Sequence, residues 1–197
     1  MLNATPAFAA SDEEMMEGLD CYDPEGRVFP RIQKKIGSGE ELNKRDVLQI
    51  MRWKLGRIRA DYSKTIADDR MVEINKAVAK AAKPGCGLEA LQALDDIPGI
   101  GLAVATAVLT VCYPEEFTII DVRVLEILDL FPATLAEDKR KGHNAGDWTA
   151  KDFIVEYLPK VKERAKLWNC SLRNADRALW GQSVRRDIEE VVASSGG

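Results

Sequence analysis

Apolar residues recur at helical spacing along almost the whole chain. Val28, Ile32 and Ile36 repeat every four residues, and a second stripe runs from Val47 to Ile58. Spacings of three and four residues predict amphipathic helices that turn one face to a core. Comparable stripes cover residues 71–82, 88–94, 102–113, 122–131, 149–168 and 174–193. Alternating patterns that would indicate paired strands are missing, so the sequence predicts an all-α fold.

Polar residues mark where several of these helices begin. Asn43, Asp68 and Thr149 each precede an apolar stripe, and side chains of this type commonly accept the first free N–H groups of a helix. Pro159 falls inside the stretch 149–168. A proline there lacks the N–H that the helix needs, so we expect it to kink this helix or split it in two.

The chain divides into an arm and a larger helical unit. Residues 1–22 are acidic and predict a loose arm with a short helix at 12–19, and residues 23–197 predict one compact domain or two interlocked lobes. The charged stretch 133–147 predicts a mobile loop, and we expect helices 149–193 to pack back on residues 23–60.

Composition is that of a globular protein, with 46% hydrophobic and 30% charged residues. The four cysteines stand far apart, without the C-x-x-C spacing of zinc or iron–sulfur sites. The amino-terminal stretch lacks the features of a signal peptide, and the longest apolar run is too short to span a bilayer. We therefore expect a cytoplasmic protein without membrane contact.

Charge is distributed unevenly although the net charge is only −4. Residues 1–26 hold seven acids before the first basic residue, whereas residues 27–59 hold ten basic residues and three acids. A solvated face explains this equally well as a strip that follows a phosphate backbone. The candidates for such a strip are Arg45, Arg52, Lys54, Arg57 and Arg59.

A glycine turn and a lone acid stand out in the middle of the chain. The turn Pro98-Gly-Ile-Gly101 precedes an apolar helix, and Asp121 precedes the next one. Glycines let the backbone approach another molecule closely, and the first N–H groups of the following helix favour an anion such as phosphate. The ordinary alternatives are an interhelical corner for the turn and a helix cap for Asp121.

The helix 88–94, the turn and the helix 102–113 together resemble a helix-hairpin-helix DNA-binding motif at residues 88–113. With Asp121 added, they resemble the signature of the helix-hairpin-helix DNA glycosylase superfamily, which includes endonuclease III and adenine glycosylase. The likeness covers the 28 residues from Ile97 to Val124, about one seventh of the chain. Its spacing from hairpin to acid also matches. The matching residues are Ile97, Pro98, Gly99, Ile100 and Gly101, then Pro114, then Ile120, Asp121, Arg123 and Val124.

This resemblance implies two helical lobes with a cleft between them and double-stranded DNA as the partner. It implies that Pro98, Gly99, Ile100, Gly101 and Ala103 grip the DNA backbone beside a damaged or mispaired base, with Arg123 adding positive charge near the phosphates. The base would be flipped into the cleft. It implies that Asp121 stabilises the oxocarbenium-like sugar as the N-glycosidic bond breaks.

Departures from the family pattern narrow what the resemblance implies. Bifunctional members carry a nucleophilic lysine where this chain has Ala103, and their histidine is replaced by Arg123. The four-cysteine cluster is missing. The resemblance thus implies a monofunctional glycosylase that uses water and no cofactor, with a monovalent cation that hairpin carbonyls can hold.

Two other hypotheses remain open: a DNA-binding protein that keeps the hairpin but has no chemistry, and an all-α protein-interaction module. Other candidate residues have ordinary explanations. We expect His143 at the surface, and we expect Trp53 and Trp180, which could stack on a flipped base, to lie in the core.

Overall fold

The computed structural model describes residues 12–56, 62–130 and 148–195. Every regular element in these ranges is helical, and they contain no strand, which confirms the all-α prediction. The elements are α1 Asp12–Tyr22, α2 Pro24–Gly37, α3 Lys44–Leu55, α4 Tyr62–Thr65, α5 Asp68–Ala81, α6 Gly87–Asp95, α7 Gly101–Cys112, α8 Val122–Ile127, α9 Ala150–Asp152, a π-helical turn Phe153–Tyr157, α10 Leu158–Leu167 and α11 Leu172–Ser194.

Side-chain caps explain where several helices begin. Asn43 and Thr149 each form a capping box, as the sequence predicts, and Asp121 accepts the Arg123 N–H at the start of α8. The prediction for Asp68 is wrong. Ala67 occupies the cap position of α5, and Asp68 is already helical, with its carboxylate paired to Lys44.

The most buried element is α7, which lies at the centre of the molecule. Every residue from Leu102 to Cys112 is buried except Ala103, which is half-buried. Helices α2, α3, α5 and α6 pack around it. Because α7 is apolar on all sides, it can be stable only where other helices cover it completely.

Helix α8 and the stretch 149–168 differ from the sequence prediction. The helix expected over 122–131 ends at Ile127, because Asp129 adopts a left-handed conformation with φ of 52° and Leu130 N–H donates to Leu125 O. The stretch 149–168 is interrupted by the π-helical turn, in which Leu158 N–H donates to Phe153 O. Pro159 follows directly after this turn. The wider spacing of the π-helical hydrogen bonds accommodates proline, which has no backbone N–H to donate.

The amino-terminal and carboxy-terminal helices close the fold. Helix α1 runs past the predicted end at residue 19, and its Asp20 pairs with Arg27 and Arg31 of α2. Helix α11 packs on α8 and α10. Within the described ranges, no helix combines the length and apolar character that crossing a membrane requires. The rest of the arm, the predicted loop with His143, and both Arg57 and Arg59 lie outside the described residues.

Candidate active site

The 98–101 turn joins α6 to α7 and exposes its backbone. Pro98, Gly99 and Gly101 are exposed, whereas Ile100 is buried in the core. Gly99 has φ of 89° and Gly101 has φ of 56°, a left-handed region that side chains disfavour. At Gly99 there is a second reason for glycine, since an added Cβ would lie 2.3 Å from Thr65 Oγ1. The turn is therefore held closely against α4.

The amino terminus of α7 begins at the surface. Ile100 takes the cap position, and its apolar side chain offers no hydrogen bond to the first turn of the helix. The first backbone N–H groups of α7 consequently carry the positive end of the helix dipole without a side-chain cap. Ala103, which stands where the glycosylases that the sequence resembles can carry a lysine, lies half-buried in this first turn.

Thr106 connects α7 to the segment that carries Asp121. Its Oγ1 accepts the Ile120 N–H at 3.2 Å and donates to Ala103 O at 3.1 Å. One residue earlier, Ile119 O accepts a hydrogen bond from the buried Tyr157 hydroxyl at 2.7 Å. Both bonds hold the irregular stretch before α8, so the position of Asp121 is fixed relative to the turn.

Asp121 is bonded at both carboxylate oxygens. Oδ1 accepts the Arg123 N–H at 3.1 Å, and Oδ2 lies 3.1 Å from Lys54 Nζ. Lys54 Nζ also donates to Ile120 O at 3.0 Å, and only 13% of this lysine side chain is exposed, against 28% for Asp121. Lys54 thus belongs to the site of Asp121, whereas its neighbours Arg45 and Arg52 in the predicted basic strip lie exposed on α3.

Asp121 lies at a pocket of about 450 Å³. The pocket forms where α2, α3 and α11 meet the stretch before α8, and its size falls within the range of small-molecule sites. Two tryptophans supply aromatic surface, and acidic and basic side chains supply most of the rest. The lining residues are Glu25, Trp53, Lys54, Ile119, Asp121, Arg173, Asp176, Arg177 and Trp180.

Glu25 ties the amino-terminal and carboxy-terminal walls of the pocket together. Its carboxylate accepts the Trp53 Nε1–H at 3.1 Å and pairs with Arg173 at 3.1 Å and with Arg177. The Arg173 guanidinium lies 5.2 Å from the centre of the Trp53 ring. Although burial opposes it, the two arginines hold the pKa of Glu25 below its ordinary value. The group therefore stays charged and keeps this wall together.

Asp176 is the most buried acid of the pocket. Only 6% of its side chain is exposed, and its carboxylate pairs with Arg173 of the same helix. Burial raises the pKa of Asp176 to about 6, and Arg173 and Lys54 only partly oppose this. The charge of Asp121 raises it further, so the two acids influence each other within one pocket.

The Arg123 side chain makes contacts with side chains of α11. Its Nη1 lies 2.6 Å from Asp187 Oδ2 and donates to Ser183 Oγ at 3.1 Å. The guanidinium also lies 5.8 Å from the centre of the Trp180 ring. Arg123 therefore links α8, which starts beside Asp121, to the helix that carries Trp180 and Asp176.

Placing Trp180 in the core proves wrong, because its side chain is 46% exposed and lines the pocket. Trp53 is half-buried and packs on the core through Phe29. Sequence reasoning missed Glu25, Arg173 and Asp176. A signal existed for Asp176 alone, since it stands on the stripe that α11 buries with Leu172 and Leu179. An acid on a buried stripe is unusual enough to indicate a special role.

Comparisons with known proteins identify no relative: no family model, curated protein or solved structure matches the chain.

Proposed function

We propose that this protein is a monofunctional DNA glycosylase that hydrolyses the N-glycosidic bond of a base flipped out of the duplex. Helices α6 and α7 with the 98–101 turn form its helix-hairpin-helix element, and the pocket is the cleft between two interlocked helical lobes. The observation that carries the proposal is the position of Asp121. The acid whose spacing resembles the family lines a pocket of about 450 Å³ together with two tryptophans.

The exposed turn supports DNA-backbone binding. Uncapped N–H groups at the start of α7 and the glycines beside them offer a surface for one phosphate without reading sequence. The resemblance also implies a monovalent cation on hairpin carbonyls. Leu94 O and Ile97 O, the carbonyls of this hairpin that would hold such an ion, accept backbone N–H groups at 3.1 and 3.0 Å, and each keeps a second lone pair. No step depends on it.

The pocket supports base recognition and bond cleavage. Trp53 and Trp180 give aromatic surface for a flipped base, a contact that every base tolerates. Asp121 places negative charge where positive charge develops on the sugar, and the Thr106 bond keeps it there. Water completes the hydrolysis. Lys54 Nζ lies 3.1 Å from Asp121 Oδ2 and offsets part of the carboxylate charge in the resting site.

Replacing Asp121 by Asn tests the proposal. Single-turnover assays with oligonucleotides that carry different damaged or mispaired bases should show release falling by about 10²-fold or more, with DNA affinity unchanged or higher. Asp129→Asn is the matched control, because Asp129 is exposed beyond the same helix and Asn also tolerates its positive φ. If the wild-type protein releases no base from this panel, the proposal is wrong.

A second candidate function is DNA binding without catalysis. The Lys54 ion pair and the cap on α8 give Asp121 a complete structural role, and this favours it. Under this hypothesis Asp121→Asn lowers stability, no base is released, and salt-sensitive DNA affinity falls when Gly99 and Gly101 are both replaced. Absence of DNA binding at low salt would exclude both functions and leave the protein-interaction module.

A further inference from the structure

Two of the three carboxylates that line the pocket, Asp121 and Asp176, have contrasting surroundings. Asp121 lies at the edge, bonded to an ammonium group and a backbone N–H, and is the more exposed. Asp176 lies deeper, on the wall formed by α11, and only 6% of its side chain is exposed. In enzymes that cleave glycosidic bonds, two acids in unlike environments commonly divide the work, with one charged and one able to give a proton.

Departure of the base from C1′ creates charge on the base as well as on the sugar. When the C1′–N bond breaks, its electron pair goes to the base, and a neutral base then leaves as an anion. Protonation of the base by a general acid removes that charge and speeds the step. An alkylated base such as 7-methylguanine already carries a positive charge and leaves as a neutral molecule. Only neutral bases therefore need an acid in the pocket.

We propose that Asp176 is the general acid that protonates the departing base, and that the pocket serves neutral bases. This inference rests on the proposed glycosylase function. The proton of the Asp176 carboxyl passes to a ring nitrogen or carbonyl oxygen of the base as the C1′–N bond breaks. Water then forms the bond to C1′, its surplus proton goes to solvent, and solvent returns a proton to Asp176. Atoms and charge balance without any other reactant.

The groups around Asp176 suit this role. Arg173 faces it from the same helix, Lys54 from α3, Asp121 from the start of α8 and the buried Tyr157 hydroxyl from the π-helical turn. Burial outweighs the two cations and raises the pKa to about 6. The acid form accordingly makes up about 90% at pH 5 and about 10% at pH 7. Arg173 is shared between Glu25 and Asp176, and Glu25 has Arg177 as a second partner. The pKa of Glu25 is therefore lowered whereas that of Asp176 is raised, which makes Asp176 the lining acid suited to donate a proton.

The test compares neutral and cationic bases in one duplex sequence. Oligonucleotides carrying uracil, hypoxanthine or 7-methylguanine are incubated with excess protein, and base release is followed in single turnovers. We expect Asp176→Asn to slow release of a neutral base by about 10²-fold and release of 7-methylguanine by less than threefold. Neutral-base release by the wild type should fall about tenfold from pH 5 to pH 7, and this slope should vanish in the variant.

A leaving-group series in the wild-type protein avoids any folding defect of the variant. The fluorine of 5-fluorouracil stabilises the departing anion, so its release should depend less on pH than release of uracil. Equal pH slopes for the two bases would overturn the proposal, and so would an equal loss of all substrates in Asp176→Asn. Release of 7-methylguanine alone by the wild type would also refute it while leaving the glycosylase function standing. If no base is released at all, the glycosylase function itself fails.

Discussion

Replacing Gly99 by Ala tests whether the turn is held in its conformation by its contact with α4. Gly99 and Gly101 both have positive φ, yet only Gly99 has a neighbour in the way. An added Cβ at Gly99 would lie 2.3 Å from Thr65 Oγ1, whereas one at Gly101 would meet no atom within 4 Å. Gly99→Ala and Gly101→Ala therefore share the backbone strain and differ in the steric contact.

The two variants should differ clearly in stability. A left-handed conformation costs a non-glycine residue about 1–2 kcal/mol, and this applies to both. Overpacking at Gly99 adds about 1–3 kcal/mol, because Thr65 is buried and can move only together with α4. We expect Gly101→Ala to lower the free energy of unfolding by about 1–2 kcal/mol, and Gly99→Ala by about 2–5 kcal/mol.

Urea unfolding followed by circular dichroism measures both costs. Thr65→Ala removes the oxygen that the new Cβ meets, so the double variant with Gly99→Ala should recover the steric part of the loss. Thr65→Ala combined with Gly101→Ala should show simple addition. Equal costs at the two glycines, or addition in both pairs, would refute the claim that the contact with Thr65 confines the turn.

Three further predictions concern the site around Asp121. Thr106→Val leaves the Ile120 N–H without its partner and should lower the free energy of unfolding by about 1–3 kcal/mol, with base release falling more than DNA affinity. The control Thr110→Val removes a hydrogen bond within α7 only and should leave base release unchanged. Borohydride reduction with abasic-site DNA should trap no covalent complex, because Lys54 Nζ donates to two oxygens; a complex that Lys54→Met abolishes would contradict hydrolysis by water. The folded-state pKa of Asp176 lies above its ordinary 3.8, so its protonated form stabilises the fold below that value, and this contribution is lost as pH rises through about 6. The wild type should lose about 2 kcal/mol relative to Asp176→Asn between pH 4 and pH 7 in urea titrations, and a gain would contradict the burial of this acid.

Local pattern predicted much of the helical framework. Helix α7 and the cap at Asp121 follow from apolar spacing and turn residues within a few positions of each other. The sequence does not predict the end of α8. The helix ends before Asp129, which adopts a left-handed conformation that asparagine and aspartate take without an obvious sequence signal. From the sequence, Pro159 predicts only that the helix is kinked or split. It does not predict that the helix responds with a π-helical turn.

The pocket walls lay beyond what local pattern can show. Glu25 and Arg173 are separated by 148 positions, and no periodicity relates an acid in the first turn of α2 to a basic residue in α11. The sequence places Lys54 in a basic surface strip, whereas in the fold its side chain pairs with Asp121. Trp180 had helical spacing that favoured the core, but its face of α11 borders the pocket. Such pairings depend on tertiary packing, which overrides local preference.

The ion pairs of Glu25 with Arg173 and Arg177 also bear on the order in which the parts of the protein fold. Contacts between distant positions require the ends of a long loop to meet, and they form after local helices and short-range pairs. During synthesis, α2 through α8 can assemble around α7 while α11 is still unmade, but one wall of the pocket, with Asp176 and Trp180, is then missing. The chain thus acquires its 98–101 turn early and its complete pocket only after α11 has docked.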